Sequence, residues 1–314
     1  MDELFFLKLK RRRGVNRFVR RFSFIISLSV FFFFFLICLM LFGSSYPLLK
    51  ENLFEILFTR EWFPHDKKFG LFNFIWGSIF TTFIALIISL PISLFTAILI
   101  SEYMPKMVAT KTKLVFDVLS GVSPVVYGFW GVIVIVPLTR NIIQPFFAEN
   151  FPFKLFLSDN KSGFNVVSAS LVLAVMVSPL MVSITEEVLR AIPFEIRQAT
   201  MSLGSTKWEM IKKVLLRRGL KGIIAAVILS FSRTIGETMA VLMVAGCQIS
   251  RTPISIFDPA YPLPALIANT FGETMSIPLY KSAIFLAAFV LLALTLVSNL
   301  FGWSILLKLE EETR

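Results

Sequence analysis

Arg233 and Glu237 stand four residues apart inside an apolar stretch, in the run Ser230-Phe-Ser-Arg-Thr-Ile-Gly-Glu-Thr-Met-Ala-Val241. On a helix that spacing puts both charges on one face. Each charge at the centre of a bilayer costs on the order of 2.5 to 3.5 kcal/mol on insertion scales, so both must face protein or water rather than lipid. Two readings fit. The pair pins helices together as an ion pair, or it lines an anion path in which arginine's planar, permanently charged fork meets an oxyanion. In the second reading Ser230, Ser232, Thr234 and Thr238 supply hydroxyl donors, and Glu237 holds Arg233 in place when no anion is bound.

A second organised stretch is polar and runs from Glu186 to Lys221. Pro193 suits the first turn of a helix through Gln198, Ala199 and Leu203, and Gly204 suits the left-handed cap that ends it. Thr206 followed by Glu209 is a capping box that starts a second helix, Lys207 to Leu216. On that helix Trp208, Ile211 and Leu215, with Met210 and Val214 one row over, make an apolar face opposite Lys207, Lys212 and Lys213. Such a helix–glycine–helix unit lies in the headgroup layer or presents its turn to a partner, and amphipathicity does not separate the two.

These residues need a membrane to hold them. The chain has 314 residues, of which 56% are hydrophobic and 16% charged, with 35 Phe; an ordinary soluble domain carries about 25% charge. Six stretches are long enough to span a bilayer: Ser23 to Gly43, Leu71 to Ser101, Leu114 to Pro137, Val166 to Thr185, Gly219 to Gly246 and Ala283 to Leu307. The expected class is therefore an all-α integral membrane protein of six transmembrane helices, with a basic N-terminus (1–22), a six-span region (23–307, containing the loop 186–221) and a tail (308–314). With both termini in the cytoplasm, the inside segments hold 21 basic residues and the outside ones 9, which satisfies the positive-inside bias. The first apolar stretch exceeds a signal h-region and is expected to remain as an uncleaved span. Pro91, Pro124 and Pro179 are expected to interrupt spans two, three and four. Asp117 falls four residues into the third span.

The composition also excludes chemistry. His65 is the one histidine, Cys38 and Cys247 have no ligand spacing, and no G-x-x-x-x-G-K-[ST] occurs, so no metal, cofactor, His-based catalysis or P-loop is expected. The net charge of +11 is explained by topology rather than by nucleic acid. Gly-Glu-Thr-Met occurs at Gly236 and again at Gly272 to Met275, a coincidence at this length and not a repeat.

Spacing then supports a resemblance. Gln198-Ala199-Thr200, Gly204 and Val214-x-Leu216 are similar to the Glu-Ala-Ala-x3-Gly-x9-Ile-x-Leu-Pro loop of ABC importer permeases, with Gln198 for Glu, Thr200 for Ala and Arg217 for Pro. Arg233-Thr-Ile-Gly-Glu-Thr-Met-Ala-Val241 resembles the Arg-x-x-Gly-Glu-Thr-Met-Ala-Val signature of PstC-type permeases of bacterial phosphate ABC importers. Pro124-Val-Val-Tyr-Gly-Phe-Trp-Gly131, Glu61-Trp-Phe-Pro64 and Ala265-Leu-Ile-Ala-Asn269 also resemble that family. The resemblance implies a type I ABC importer permease fold in the bacterial inner membrane. It implies a PstA-type sister permease, two PstB-type ATP-binding subunits that carry out hydrolysis, and a PstS-type extracytoplasmic binding protein. It implies that Arg233 and Glu237 serve phosphate passage; on that basis the Gly204 loop is expected to act as a rigid lever that rotates the spans around Arg233 when the partner ATPases close. The rival expectations are a permease for sulfate, molybdate or phosphonate, an ATP-independent carrier or channel, and a structural membrane subunit.

Overall fold

The computed structural model describes residues 2–151, 153–249, 251–274 and 278–311, with side chains left undescribed at 2–18, 51–53, 65, 274 and 309–311. The basic run Lys8 to Arg17, His65, the end of the second Gly-Glu-Thr-Met at Met275 and most of the tail 308–314 thus lie outside the described residues or side chains.

Helix α1 runs Asp2–Phe58, and its apolar part, Val19–Lys50, is uncovered along the whole of its most hydrophobic window. A two-residue hairpin, β1 (Trp62–Phe63) with β2 (Lys68–Phe69), leads into α2, Phe72–Tyr103, whose last turn Leu99–Tyr103 is a π turn. Next come α3 (Lys106–Ser120), α4 (Pro124–Asn150) and α5 (Val166–Arg190). The loop holds α6 (Phe194–Ser202) and α7 (Lys207–Met210); a π turn at Ile211–Leu215 joins α7 to α8 (Leu216–Ile235). The chain closes with α9 (Met239–Val244), α10 (Leu263–Thr274) and α11 (Pro278–Glu311). Among the described residues five helices, α1, α2, α4, α5 and α11, are apolar and long enough to cross a membrane.

α5 is the axis of the bundle. Its small residues Ala169, Ser170 and Ala174 are buried, so α2 packs along it while α3, α8 and α9 gather on its other sides. At one end Trp62, Phe69, Phe74, Tyr261 and Tyr280 form an aromatic core that ties the hairpin to α2, α10 and α11. In the middle Tyr127, Ile135, Val172, Met176, Ala240 and Val244 join α4, α5 and α9. At the loop end Met210, Ile211 and Leu215 pack on Ile98, Leu189 and Ile192.

Four expectations are corrected. The third span does not run from Leu114 to Pro137: α3 ends at Ser120, a turn follows, and the spanning helix is Pro124–Asn150. Pro124 therefore starts a helix instead of interrupting one. It stands at the first position, where its missing N–H is not needed, and Ser123 before it is extended at φ −61, ψ 136. The helix from Lys207 does not stop at Leu216, because no breaker follows and Leu216 continues into α8. The stretch Gly219 to Gly246 is likewise not one helix: α8 ends at Ile235 and α9 begins at Met239.

Candidate substrate pathway and coupling loop

The break between α8 and α9 sits between the two charges that matter most. Gly236 caps α8 at φ −88, ψ −1, and the Glu237 carboxylate folds back onto its own backbone. Glu237 Oε1 accepts from Thr238 N at 3.0 Å and Met239 N at 3.1 Å, which satisfies donors at the start of α9 where a negative charge is favoured. Glu237 is thus not a helical neighbour of Arg233, and no ion pair joins them among the described residues. Arg233 Nη2 instead donates to the carbonyl of Ser120, the last residue of α3, at 3.4 Å. Cations suit the carbonyl end of a helix, though a backbone oxygen is a weaker partner than a carboxylate. One residue before Ser120, the Leu119 carbonyl accepts from Tyr127 Oη at 2.9 Å, so α3 and α4 are stitched across their turn.

The hydroxyls divide. Ser230 and Thr234 lie on the packed side of α8, at 0% and 2% exposure. Thr234 Oγ1 donates to the Ser230 carbonyl at 2.7 Å, whereas Ser230 Oγ is buried with no hydrogen-bond partner among the described residues. Ser232 Oγ accepts from Asn299 Nδ2 at 3.2 Å and fastens α8 to α11. Thr238 Oγ1 donates to the Gly236 carbonyl at 3.4 Å, within the break. The structure therefore brings Arg233 to the α3 terminus, turns the Glu237 carboxylate onto the start of α9, and buries Ser230 and Thr234 on the packed side of α8.

The glycines of Pro124-Val-Val-Tyr-Gly-Phe-Trp-Gly131 seat this break against α4. A Cβ at Gly131 would stand 2.4 Å from Val172 Cγ2 and 3.0 Å from Val244 Cγ1, and one at Gly128 would stand 3.1 Å from Ala240 Cα. Only a bare backbone lets α9 and α5 approach this closely.

At the loop, Gly204 takes φ +82 and donates its N–H to the Met201 carbonyl at 3.0 Å, the expected left-handed stop. The capping box is present: Thr206 Oγ1 accepts from Glu209 N at 3.3 Å, and Glu209 Oε2 accepts from Thr206 N at 3.0 Å. The Thr206 backbone N–H, then Lys213, holds the Glu209 carboxyl down at about 2. Gln198, Ala199 and Gly204 are exposed, while Val214 and Leu216 are half-buried, Leu216 against the bundle. Met210, Ile211 and Leu215 are buried, as an inward apolar face requires, but Trp208 is not part of it. It stays exposed near the turn with Met201 and Leu203, the last 88% exposed. The tip is an uncovered apolar patch.

The residues that bind this loop to the bundle carry no local sequence signal. Arg197, beside Gln198 on α6, reaches Glu102 in the π turn of α2, 95 positions away, with Nη2–Oε1 at 2.9 Å and Nε–Oε1 at 3.2 Å. Both side chains are nearly buried, at 12% and 6%. Arg197 also donates to Leu189 O at 2.8 Å and to Ile192 O, so one guanidinium clamps α6, the end of α2 and the last carbonyls of α5. Nearby, Glu186 on α5 is 1% exposed and lies 3.2 Å from Lys113 Nζ and 2.7 Å from Arg190 Nε. These are charge contacts rather than aligned hydrogen bonds. Lys113 also donates to Glu187 Oε1 at 2.9 Å, and these carboxylates, Glu187 foremost, hold its ammonium above the usual lysine range against the pull of burial. Asp117, assigned by sequence to the third span, belongs to α3 and accepts from Ser183 Oγ at 2.8 Å.

Comparison with known proteins covers nearly the whole chain. Residues 108–303 match the family described as binding-protein-dependent transport system inner membrane component. A relative from Methanocaldococcus jannaschii, described as a probable phosphate transport system permease protein PstC, is 34% identical over 87% of this chain and 88% of its own. The phosphate transport system permease protein PstC of Xylella fastidiosa is 32% identical over 87% and 84%. Among solved structures, an inward-facing MetNI methionine ABC transporter aligns with TM-score 0.56 at 17% identity, over 74% of this chain and 93% of that one. A bacterial ABC transporter that imports the acidic polysaccharide alginate aligns with TM-score 0.53 at 13% identity, over 85% and 96%. These two likenesses show the fold, a type I ABC importer permease.

Proposed function

Because this chain belongs to the binding-protein-dependent transport inner membrane components, and among them to the PstC-type permeases, we propose that it is the subunit through which an ATP-driven importer admits inorganic phosphate. It is a multi-pass inner membrane protein and a transport subunit; ATP hydrolysis is the work of an ATPase partner. In this reading the permease region is 23–307, both termini are cytoplasmic, and the broken pair α8–α9 supplies the sixth crossing. A PstA-type permease completes the pathway, a PstS-type protein delivers phosphate from outside, and two PstB-type subunits act from the cytoplasm. One of them meets the turn carrying Gln198, Ala199 and Gly204, where Leu203 and Trp208 offer an apolar knob. Val214 and Leu216 anchor that turn to the bundle.

The observation that carries the substrate reading is the state of Arg233. It is a permanent cation in the transmembrane region, and among the described residues a single backbone carbonyl is its hydrogen-bond partner. That contact is weak enough to be exchanged for an oxyanion, which offers charge as well as acceptors. Phosphate displaces the Ser120 carbonyl, and Glu237, one turn on and fixed by its own backbone, sets a negative charge beside the anion. The site thus attracts phosphate without trapping it, the balance that a conducting path needs. Ser230 Oγ, buried without a partner among the described residues, and Thr234 join the anion when α8 turns about its axis.

The test is uptake of radiolabelled phosphate in cells whose own chain is deleted and restored, with sulfate, molybdate and a phosphonate as competitors. Restoration blocked by excess unlabelled phosphate alone supports this reading. Competition by sulfate or molybdate at equal concentration makes it a permease for another oxyanion, and uptake without a functional ATPase partner makes it a carrier.

A further inference from the structure

α3 touches both ends of the machine. Its 15 residues form a rod of about 22 Å at 1.5 Å per residue. The rod is fixed to the lower end of α5 in antiparallel register, Lys113 against Glu186 and Glu187, then Asp117 against Ser183 one turn further on. Ala109 is buried with Ile100 and Val182 below these contacts, so α3 and the end of α5 are one packed body. Arg197 ties that same end of α5 to α6, the helix that carries the loop. At its other end α3 stops at Ser120, whose carbonyl holds Arg233. From the tip to Arg233, every step is a named contact between rigid helices.

The chemistry of this chain of contacts is unusual for mere scaffolding. It keeps a 1%-exposed carboxylate, Glu186, between two cations, where apolar residues of equal volume pack as stably. The packed interface between α3 and α5, in which this carboxylate is buried, shifts between discrete arrangements and not along a continuum, which suits an element with two positions.

We propose that α3 is the transmission element of the importer: its C-terminal carbonyl is the resting counter-charge of Arg233, and movement of the coupling loop withdraws it through Lys113 and Asp117. Lys113, Asp117 and Glu186 are positioning residues. When the ATPase shifts the tip, α6 and the α5 end move together, α3 follows, and Ser120 O leaves the guanidinium. Arg233 then turns to the anion in the state in which the path is open to it. The proposal rests on the reading of Arg233 as the phosphate-binding cation, and goes beyond it by assigning how ATP controls that cation.

The experiment uses the complete importer with its partners, reconstituted in vesicles, and reads phosphate moved per ATP hydrolysed. In Lys113→Met the ratio is expected to fall at least tenfold with hydrolysis retained, and Lys113→Arg is expected to recover it to within about twofold. Spin labels at the exposed positions Val118 and Leu229 are expected to change separation with nucleotide in the native chain and not in Lys113→Met. An unchanged ratio in Lys113→Met, or a label distance indifferent to nucleotide in the native chain, overturns the proposal. If Lys113→Met does not assemble, Ser183→Ala, which removes one hydroxyl tie, is measured in its place, and a native ratio there overturns it equally. Arg233→Gln is run alongside. Uptake that survives in it refutes the reading of the site, whereas uptake lost there with coupling intact in Lys113→Met refutes the transmission role alone.

Discussion

Removing Arg197 should damage the protein more than removing its partner Glu102, and removing both should damage it less than removing Arg197. The asymmetry follows from the acceptors around the guanidinium. In Glu102→Gln, Arg197 keeps the Leu189 and Ile192 carbonyls and gains the Gln oxygen, so the loss is charge assistance worth about 1 to 3 kcal/mol. In Arg197→Met, a carboxylate whose side chain is 6% exposed keeps no cation, and the Leu189 and Ile192 carbonyls lose their donor, which costs about 3 to 5 kcal/mol. The pair Glu102→Leu with Arg197→Met buries no charge, leaving the unbonded carbonyls as the remaining cost, about 1 to 3 kcal/mol. Each kcal/mol moves a thermal midpoint by about 2 to 4 °C, so Arg197→Met should lower it by on the order of 10 °C and the other two by roughly half that or less. The assay is the fraction of detergent-solubilised complex that remains monodisperse after heating. Equal losses in the two single variants, or a double variant no better than Arg197→Met, would refute the assignment of Arg197 as a three-way clamp.

Gly204→Val meets no atom within 4 Å but must hold φ +82, so it should unseat the turn, leave the bundle folded and reduce ATP-coupled uptake at least fivefold; native uptake would remove the lever role of the loop. Gly131→Ala puts a methyl 2.4 Å from Val172 and should cost about 1 to 3 kcal/mol, read as a lowered thermal midpoint that Val172→Ala on the same chain restores. For Glu209 the sign is that of a lowered acid: its folded value is about 2 against 4.5 unfolded, so its contribution is full above about 4.5 and fades as pH falls toward 2. Hydrogen exchange at the Thr206 to Met210 amides should therefore be steady from pH 8 to 5 after correction for intrinsic rates. Faster exchange below 4.5 should be absent in Glu209→Gln.

Features written in local spacing were legible in the sequence, and features that depend on distant contacts were not. Gly204 and the Thr206–Glu209 box are caps whose donors and acceptors lie within four residues, and the structure reproduces both. The break after Ile235 escapes hydropathy because Met239 to Val244 is as apolar as the residues before it. What stops α8 is the Glu237 side chain bonding its own backbone, a competition between side chain and helix that composition does not weigh. The turn before Pro124 is signalled by Gly121 and the proline, yet an apolar run passes straight through it. Arg233 was found from the cost of its charge, but its partner was misassigned, since the Ser120 carbonyl is 113 residues away. Arg197 with Glu102, and Lys113 with Glu186, are pairs made by the fold alone.

The central claim is that Arg233 receives the phosphate. Its most direct test is uptake of radiolabelled phosphate by cells carrying Arg233→Gln, with membrane abundance and retention of the ATPase partner measured in the same preparation. The account predicts that the complex is intact and that uptake falls at least a hundredfold, because glutamine is shorter and carries no charge to offer an oxyanion. Native uptake from an intact complex would contradict it, and loss of the complex itself would show that Arg233 holds helices together instead.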